Sequence, residues 1–216
     1  MAGAPTRDAL ARWGTFGLCS LPLVWQGTLF LSGGLGANPI EALTRNLGEW
    51  GLILLLVGLA LTPLRRALGW TTALRRRRMV GLFAFFYVVL HVLSYLGLDQ
   101  FFHWPSIWAD LVKRVYITVG MVAVLLLLPL AVTSTHRWVK RLTYPRWKRL
   151  HWLVYPATVL GVAHYWLMVK ADLTEPLVFA GILAVLLAVR VLPQGPGGRW
   201  SLSVRRQGAA AIRSPR

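Results

Sequence analysis

Residues 79–98 read MVGLFAFFYVVLHVLSYLGL, twenty residues without a formal charge. A helix needs roughly 20 apolar residues to cross the hydrocarbon of a bilayer, so this stretch reads as a transmembrane helix. Inside it stands His91. An imidazole at that depth is costly without a partner, and an ionisable group within a span is a functional hypothesis by default.

The rest of the 216 residues has the same character. Apolar residues make up 56%, charged residues only 14%, and the mean hydropathy is +0.55. The net charge is nevertheless +17, from 24 Lys+Arg against 7 Asp+Glu. A soluble domain does not usually combine these features, and disorder, a disulfide scaffold and a soluble enzyme are disfavoured. At roughly 20 residues per helix the composition predicts an all-α integral membrane protein, a bundle of six transmembrane helices. The spans fall at about 14–32, 49–64, 79–98, 112–133, 150–169 and 175–192, the second interrupted by Gly48, Gly51, Gly58 and Pro63. Alternation at ten-residue intervals, the mark of a membrane barrel, is missing. The predicted organisation is an N-terminus at 1–13, a transmembrane domain at 14–192 and a basic, flexible tail at 193–216. The apolar run near Phe16–Leu31 lacks a cleavage site after it and reads as the first span.

Charge orients the bundle. Twenty of the 24 cations fall at the N-terminus, in 65–78, in 137–149 and from Arg190 onward, beside one acid, Asp8. The other side carries Arg45, Lys113, Arg114 and Lys170 against Glu41, Glu49, Asp99, Asp110, Asp172 and Glu175. The positive-inside bias places both termini in the cytoplasm. The run Arg75–Arg78 is a topology anchor that also favours anionic membrane lipid, and no nucleic-acid site is expected. Trp50, Trp70, Trp104, Trp108, Trp138, Trp147 and Trp152 near span ends read as an interfacial belt.

With one cysteine, Cys19, no intramolecular disulfide or cysteine metal cluster is possible, and no C-x-x-C-H motif occurs. The histidines carry the chemistry. His91 lies 12 residues past Met79 on the third span and His164 lies 14 past Leu150 on the fifth. At about 1.5 Å per residue both are near 20 Å from the basic end. Two imidazoles at matched depth on different helices can supply both axial ligands of a non-covalent heme, and a heme so ligated suits electron transfer. Packing hydrogen bonds are the plainer reading of the same residues. Gly161, one turn before His164, is a place to admit a flat macrocycle.

His151, 13 residues before His164, sits one step nearer the basic end. Its counterpart on the third span is Arg78, which is no heme ligand. A second heme there needs His136, a five-coordinate iron, or is absent, and His151 then bonds a lipid or quinone head group. Thirteen residues also turn His151 away from His164 unless Pro156 kinks the helix. His103, beside Trp104-Pro105, reads as a loop residue.

His91 on the third span and Arg149-Leu150-His151-Trp152-Leu153, Tyr155-Pro156 and His164-Tyr165 on the fifth resemble the ferric-reductase-like transmembrane superfamily, which includes NADPH oxidases and ferric reductases. The likeness runs from about Gly48 to Leu192. Within that superfamily the short chain is similar to heme-binding membrane subunits of bacterial methionine-sulfoxide reductase systems. The resemblance implies heme b, one or two, and FMN. It implies a bacterial inner membrane and electrons from quinol or a cytosolic flavin reductase. It implies a periplasmic molybdopterin reductase as the partner in a heterodimer that repairs oxidised proteins. On this likeness His91 and His164 are the heme pair and His151 the inner-heme ligand, with Arg78 departing from the oxidases, which have a second histidine there. The expected role is a non-catalytic electron-transfer subunit.

About 24 residues follow the last span, and no GxGxxG occurs in a strand–helix setting. The expectation is therefore that a separate donor or membrane quinol supplies electrons. Two other readings stay open: a cytochrome b subunit of another dehydrogenase or hydrogenase, and a non-redox transporter, which the lack of carboxylates deep in a span disfavours.

Overall fold

The computed structural model describes residues 7–69 and 71–191; the expected tail at 193–216, residues 1–6 of the expected N-terminal segment and Trp70 lie outside them. Nine α-helices follow in order among the described residues. They are α1 (Arg7–Leu31), α2 (Pro39–Leu68), α3 (Thr71–Leu93), α4 (Trp104–Lys113), α5 (Val115–Val132), α6 (His136–Leu142), α7 (Tyr144–Leu150), α8 (Val154–Met168) and α9 (Thr174–Val191). A π-helical turn over Ser94–Asp99 extends α3, and a 3-10 turn over His151–Leu153 leads into α8. Five segments are long and apolar enough to cross a membrane: Asp8–Leu31, Pro39–Leu68, Leu74–Asp99, Val115–Val132 and Thr174–Val191. The chain is a multi-pass membrane protein. The expected fifth span is the exception, because the 3-10 turn leaves α8 only 15 residues.

Two helix pairs dominate the packing, α2 on α3 and α5 on α8. The glycines that interrupt α2 in sequence are its contact face. A Cβ on Gly51 would lie 2.9 Å from Val88 Cγ2 and one on Gly58 would touch Val80, so the missing side chains let α3 approach. The helix is closed by its own ends. Asn38 accepts from the Glu41 N–H at 3.3 Å, Pro39 opens the first turn, and Gly69 at φ 67° donates its N–H to Arg65 at 2.8 Å.

α1 lies along α3, joined at one end by Asp8, which pairs with Arg76 at 2.8 Å and Arg75 at 3.3 Å. Farther along, the wholly buried Tyr87 reaches α1 beside Pro22. Its hydroxyl donates to Cys19 C=O at 2.8 Å and accepts from Leu23 N–H at 2.9 Å. An ideal helix would pair those two backbone groups with each other, so Tyr87 is inserted into the α1 ladder. Elsewhere α1 turns Trp13, Phe16, Leu18, Leu21, Val24 and Trp25 outward, as a lipid-facing helix does.

Two loops expected from the sequence contain helices. The 99–111 segment carries α4, which ends at Arg114 in extended conformation, so the fourth span begins at Val115 rather than 112. Arg114 is held to Asp110 at 3.0 Å, and Tyr95 donates to the same carboxylate at 2.9 Å. The 134–149 segment carries α6 and α7, with Thr143 between them at φ 63°.

Candidate functional site

The α2–α3 pair positions His91. Its Nδ1 is 2.8 Å from the carbonyl oxygen of Thr44. A carbonyl only accepts, so Nδ1 carries the proton and Nε2 keeps its lone pair. Gly48, one turn after Thr44, makes room for the ring: a Cβ there would lie 2.9 Å from Nδ1. Thr44 is itself fixed, donating its hydroxyl toward Ile40 C=O at 2.8 Å and meeting Ser94 Oγ at 2.6 Å.

The α5–α8 pair repeats the device. His164 Nδ1 is 2.6 Å from the Tyr116 carbonyl oxygen, and a Cβ on Gly120, one turn on, would lie 2.7 Å from that nitrogen. Both histidines are thus locked in the tautomer that offers Nε2, by the outer hydrogen bond that metal-ligating histidines almost always make.

The two pairs bring these rings together. Their centroids are 6.1 Å apart and their planes cross at 78°. A ligating imidazole nitrogen lies about 2 Å from a first-row metal and about 1 Å from its own ring centre, so two imidazoles approaching one metal from opposite sides have centres about 6 Å apart. Spacing and tautomers therefore fit one iron held between His91 and His164. Gly161 does not provide the room expected of it, since its Cβ position meets Leu52 at 3.4 Å on α2. The glycines that seat the two imidazoles, Gly48 and Gly120, were missed as site residues. Their signal was spacing: each lies four residues after the carbonyl that a histidine reaches.

His151 stands apart. Its Nδ1 turns back to Trp147 C=O at 3.1 Å, its ring lies 3.9 Å from the Trp147 ring, and its Nε2 is buried without a hydrogen-bond partner. Trp147 is tied to α5 through Nε1, which donates to Thr133 C=O at 2.9 Å, and so is more than a belt residue. Of the two arginines near that depth on α3, Arg77 is half-buried, and Arg78, the counterpart expected from depth, is exposed. Pro156 lies in the first turn of α8, where its missing N–H is harmless, and the helical irregularity between His151 and His164 is the 3-10 turn. His136 and His103 are exposed. Among the described residues no three His, Cys, Asp or Glu side chains group as a metal cluster.

The family described as "Ferric reductase like transmembrane component" matches residues 47–162, a range that holds His91 and His151 and stops two residues short of His164. Curated proteins named "Protein-methionine-sulfoxide reductase heme-binding subunit MsrQ" are similar over most of the chain. The one from Rhodospirillum rubrum is 70% identical over 87% of this chain and 90% of its own length. Those from Caulobacter vibrioides and Xanthomonas axonopodis pv. citri are 53% and 50% identical, over 80% and 78% of this chain and 82% and 75% of theirs.

Proposed function

The chain belongs to the MsrQ family of heme-binding subunits of protein-methionine-sulfoxide reductase, within the ferric-reductase-like transmembrane group, and from that premise we propose that it carries electrons across the bacterial inner membrane through heme b held by His91 and His164. The observation that carries this reading is the pair of imidazoles 6.1 Å apart, each with its Nδ1 proton committed to a backbone carbonyl. Heme held there by His91 and His164 would supply one-electron transfer. Thr44 and Tyr116 orient the ligand rings through their carbonyls, and Gly48 and Gly120 leave the space the rings take.

His151 offers a third Nε2, buried without a partner, and the ring packed against it is that of Trp147. We read the chain as holding one heme, with His151 free to bond a quinol oxygen. The six-span bundle, with α8 and its 3-10 turn as the fifth crossing, puts both termini on the basic, cytoplasmic side. Electrons then enter there from quinol or a flavin donor, FMN included, and leave to a periplasmic MsrP-like molybdopterin subunit in a heterodimer that repairs methionine sulfoxide.

The test is a reduced-minus-oxidised visible spectrum of the detergent-purified chain with heme quantified per protein. A low-spin b-type spectrum near one heme per chain, lost in both His91→Ala and His164→Ala, is expected. Well-folded protein free of heme, made with heme available, overturns the reading.

A further inference from the structure

Asp110 lies in the last turn of α4, where the helix dipole disfavours a negative charge. Only 14% of its side chain is exposed. A solvated ion pair needs no such burial and contributes little, whereas a carboxylate withdrawn from water must have its oxygens bonded. Each oxygen has a partner: Oδ1 meets Nε of Arg114 at 3.0 Å, and Oδ2 accepts from the Tyr95 hydroxyl at 2.9 Å.

Those two partners lead to the two imidazoles. Tyr95 follows Ser94 in the π-helical turn that extends α3. Ser94 is buried, and its Oγ is 2.6 Å from Oγ1 of Thr44, the residue whose carbonyl accepts from His91 Nδ1. Arg114 immediately precedes α5 and donates Nη1 to the Tyr116 hydroxyl at 3.3 Å. Tyr116 meets His164 twice, through its carbonyl at 2.6 Å from Nδ1 and through its ring, whose centre is 6.0 Å from that of the imidazole. The corner between α4 and α5 is closed by Thr118, which donates its hydroxyl to Leu111 C=O at 2.6 Å, and by the Arg114 N–H on Asp110 C=O at 2.9 Å. Asp110 is therefore fixed to α5 on one side and bonded to α3 on the other. Because α2 and α3 hold one ring and α5 and α8 the other, a side chain tying α3 to α5 bears on how the rings face each other. The tie is made at a π-turn, an irregularity frequent at functional sites.

We propose that Asp110 is a positioning residue for the two imidazoles: through Tyr95 and Arg114 it sets the angle at which His91 and His164 present their Nε2 atoms to one iron. The inference rests on the heme reading above, and Asp110 acts in it through its two neighbours.

The test is electron paramagnetic resonance of the oxidised full chain in detergent, loaded with heme, together with its reduction potential and the heme retained on dilution. The low-field g value of a low-spin ferric heme depends on the angle between its axial imidazole planes. Planes crossing at 78° put the parent in the strongly anisotropic class. Asp110→Ala, Arg114→Gln and Tyr95→Phe should each displace that g value beyond the parent's linewidth or split the signal. Each should also weaken heme binding by up to about tenfold, the low end of what disturbing a metal ligand's outer shell costs. Charge alone predicts otherwise. Asp110→Ala and Arg114→Gln remove opposite charges and would shift the potential in opposite directions with the g value unmoved, while Tyr95→Phe would shift nothing. Asp99→Asn, at an exposed acid of the same end whose carboxylate is bonded to Gln100, should leave the signal as in the parent. If Asp110→Ala does not accumulate, Tyr95→Phe and Arg114→Gln carry the test. The proposal is overturned if the folded variants keep the parent's g value, even with a lower thermal midpoint, since the tie would then only hold helices together. A parent without low-spin heme overturns the heme reading and this one with it; a normal parent with unmoved variants overturns this one alone.

Discussion

Gly120→Ala adds one methyl group at the place where α5 meets His164. Its Cβ would lie 2.7 Å from Nδ1 and 3.0 Å from Cε1, whereas ordinary contact begins at 3.4 Å. The ring must retreat by about 0.7 Å, more than the roughly 0.5 Å to which a functional group must be held. It cannot retreat freely, because Nδ1 is bonded to Tyr116 C=O at 2.6 Å. Overpacking of this kind costs about 1–3 kcal/mol, and disturbing the outer hydrogen bond of a metal ligand costs roughly 10–100-fold in affinity. The assay is heme retained per chain on dilution, with the low-spin bands of the oxidised spectrum. Gly120→Ala should lose most, Gly48→Ala less because its Cβ is 2.9 Å from the His91 ring, and Gly161→Ala little at 3.4 Å from Leu52. Gly81→Ala, with nothing within 4 Å, is the control. A Gly120→Ala chain with unchanged heme affinity and bands would refute the assignment of His164 as a ligand held through Tyr116.

His151→Ala should keep the low-spin spectrum that His91→Ala and His164→Ala lose; equal loss in all three would mean that His151 ligates as well. Tyr87→Phe leaves Cys19 C=O and Leu23 N–H without their bridge and should cost about 1–3 kcal/mol, read as a lower midpoint of thermal inactivation in detergent, with unchanged bands. Asn38→Ala removes the α2 cap at about 1 kcal/mol, and faster proteolysis in the loop before Pro39 is the readout.

Hydropathy was enough to find five of the six expected spans, since a bilayer leaves helices few alternatives, and the depth of His91 and His164 was enough to bring their rings together. What hydropathy misses is where a helix changes character without changing polarity. The 3-10 turn at His151 lies within an apolar stretch, and Leu150-His151-Trp152-Leu153 contains neither glycine nor proline to announce it. The end of α4 at Arg114 was hidden likewise, because Leu111 and Val112 carry apolar character up to the helix that starts at Val115. Glycines in α2 looked like weaknesses because a sequence shows the missing side chain and not the helix that occupies its place. Arg77 and Arg78 differ by 100° around α3, so counting depth alone selected the exposed one of the two.

The duplicated seating of His91 and His164 bears on how the chain assembles. One ring is held entirely by α2 and α3, the other entirely by α5 and α8. Each hairpin can prepare its own imidazole, tautomer and orientation included, before it has met the other. A metal bridging the two would bind only the docked arrangement and would favour it by mass action. On that view the cofactor would reinforce a seam that Leu52, Leu56 and Leu59 already close against Val162 and Leu183, so a chain short of it would stay docked by apolar packing with its two imidazoles untethered.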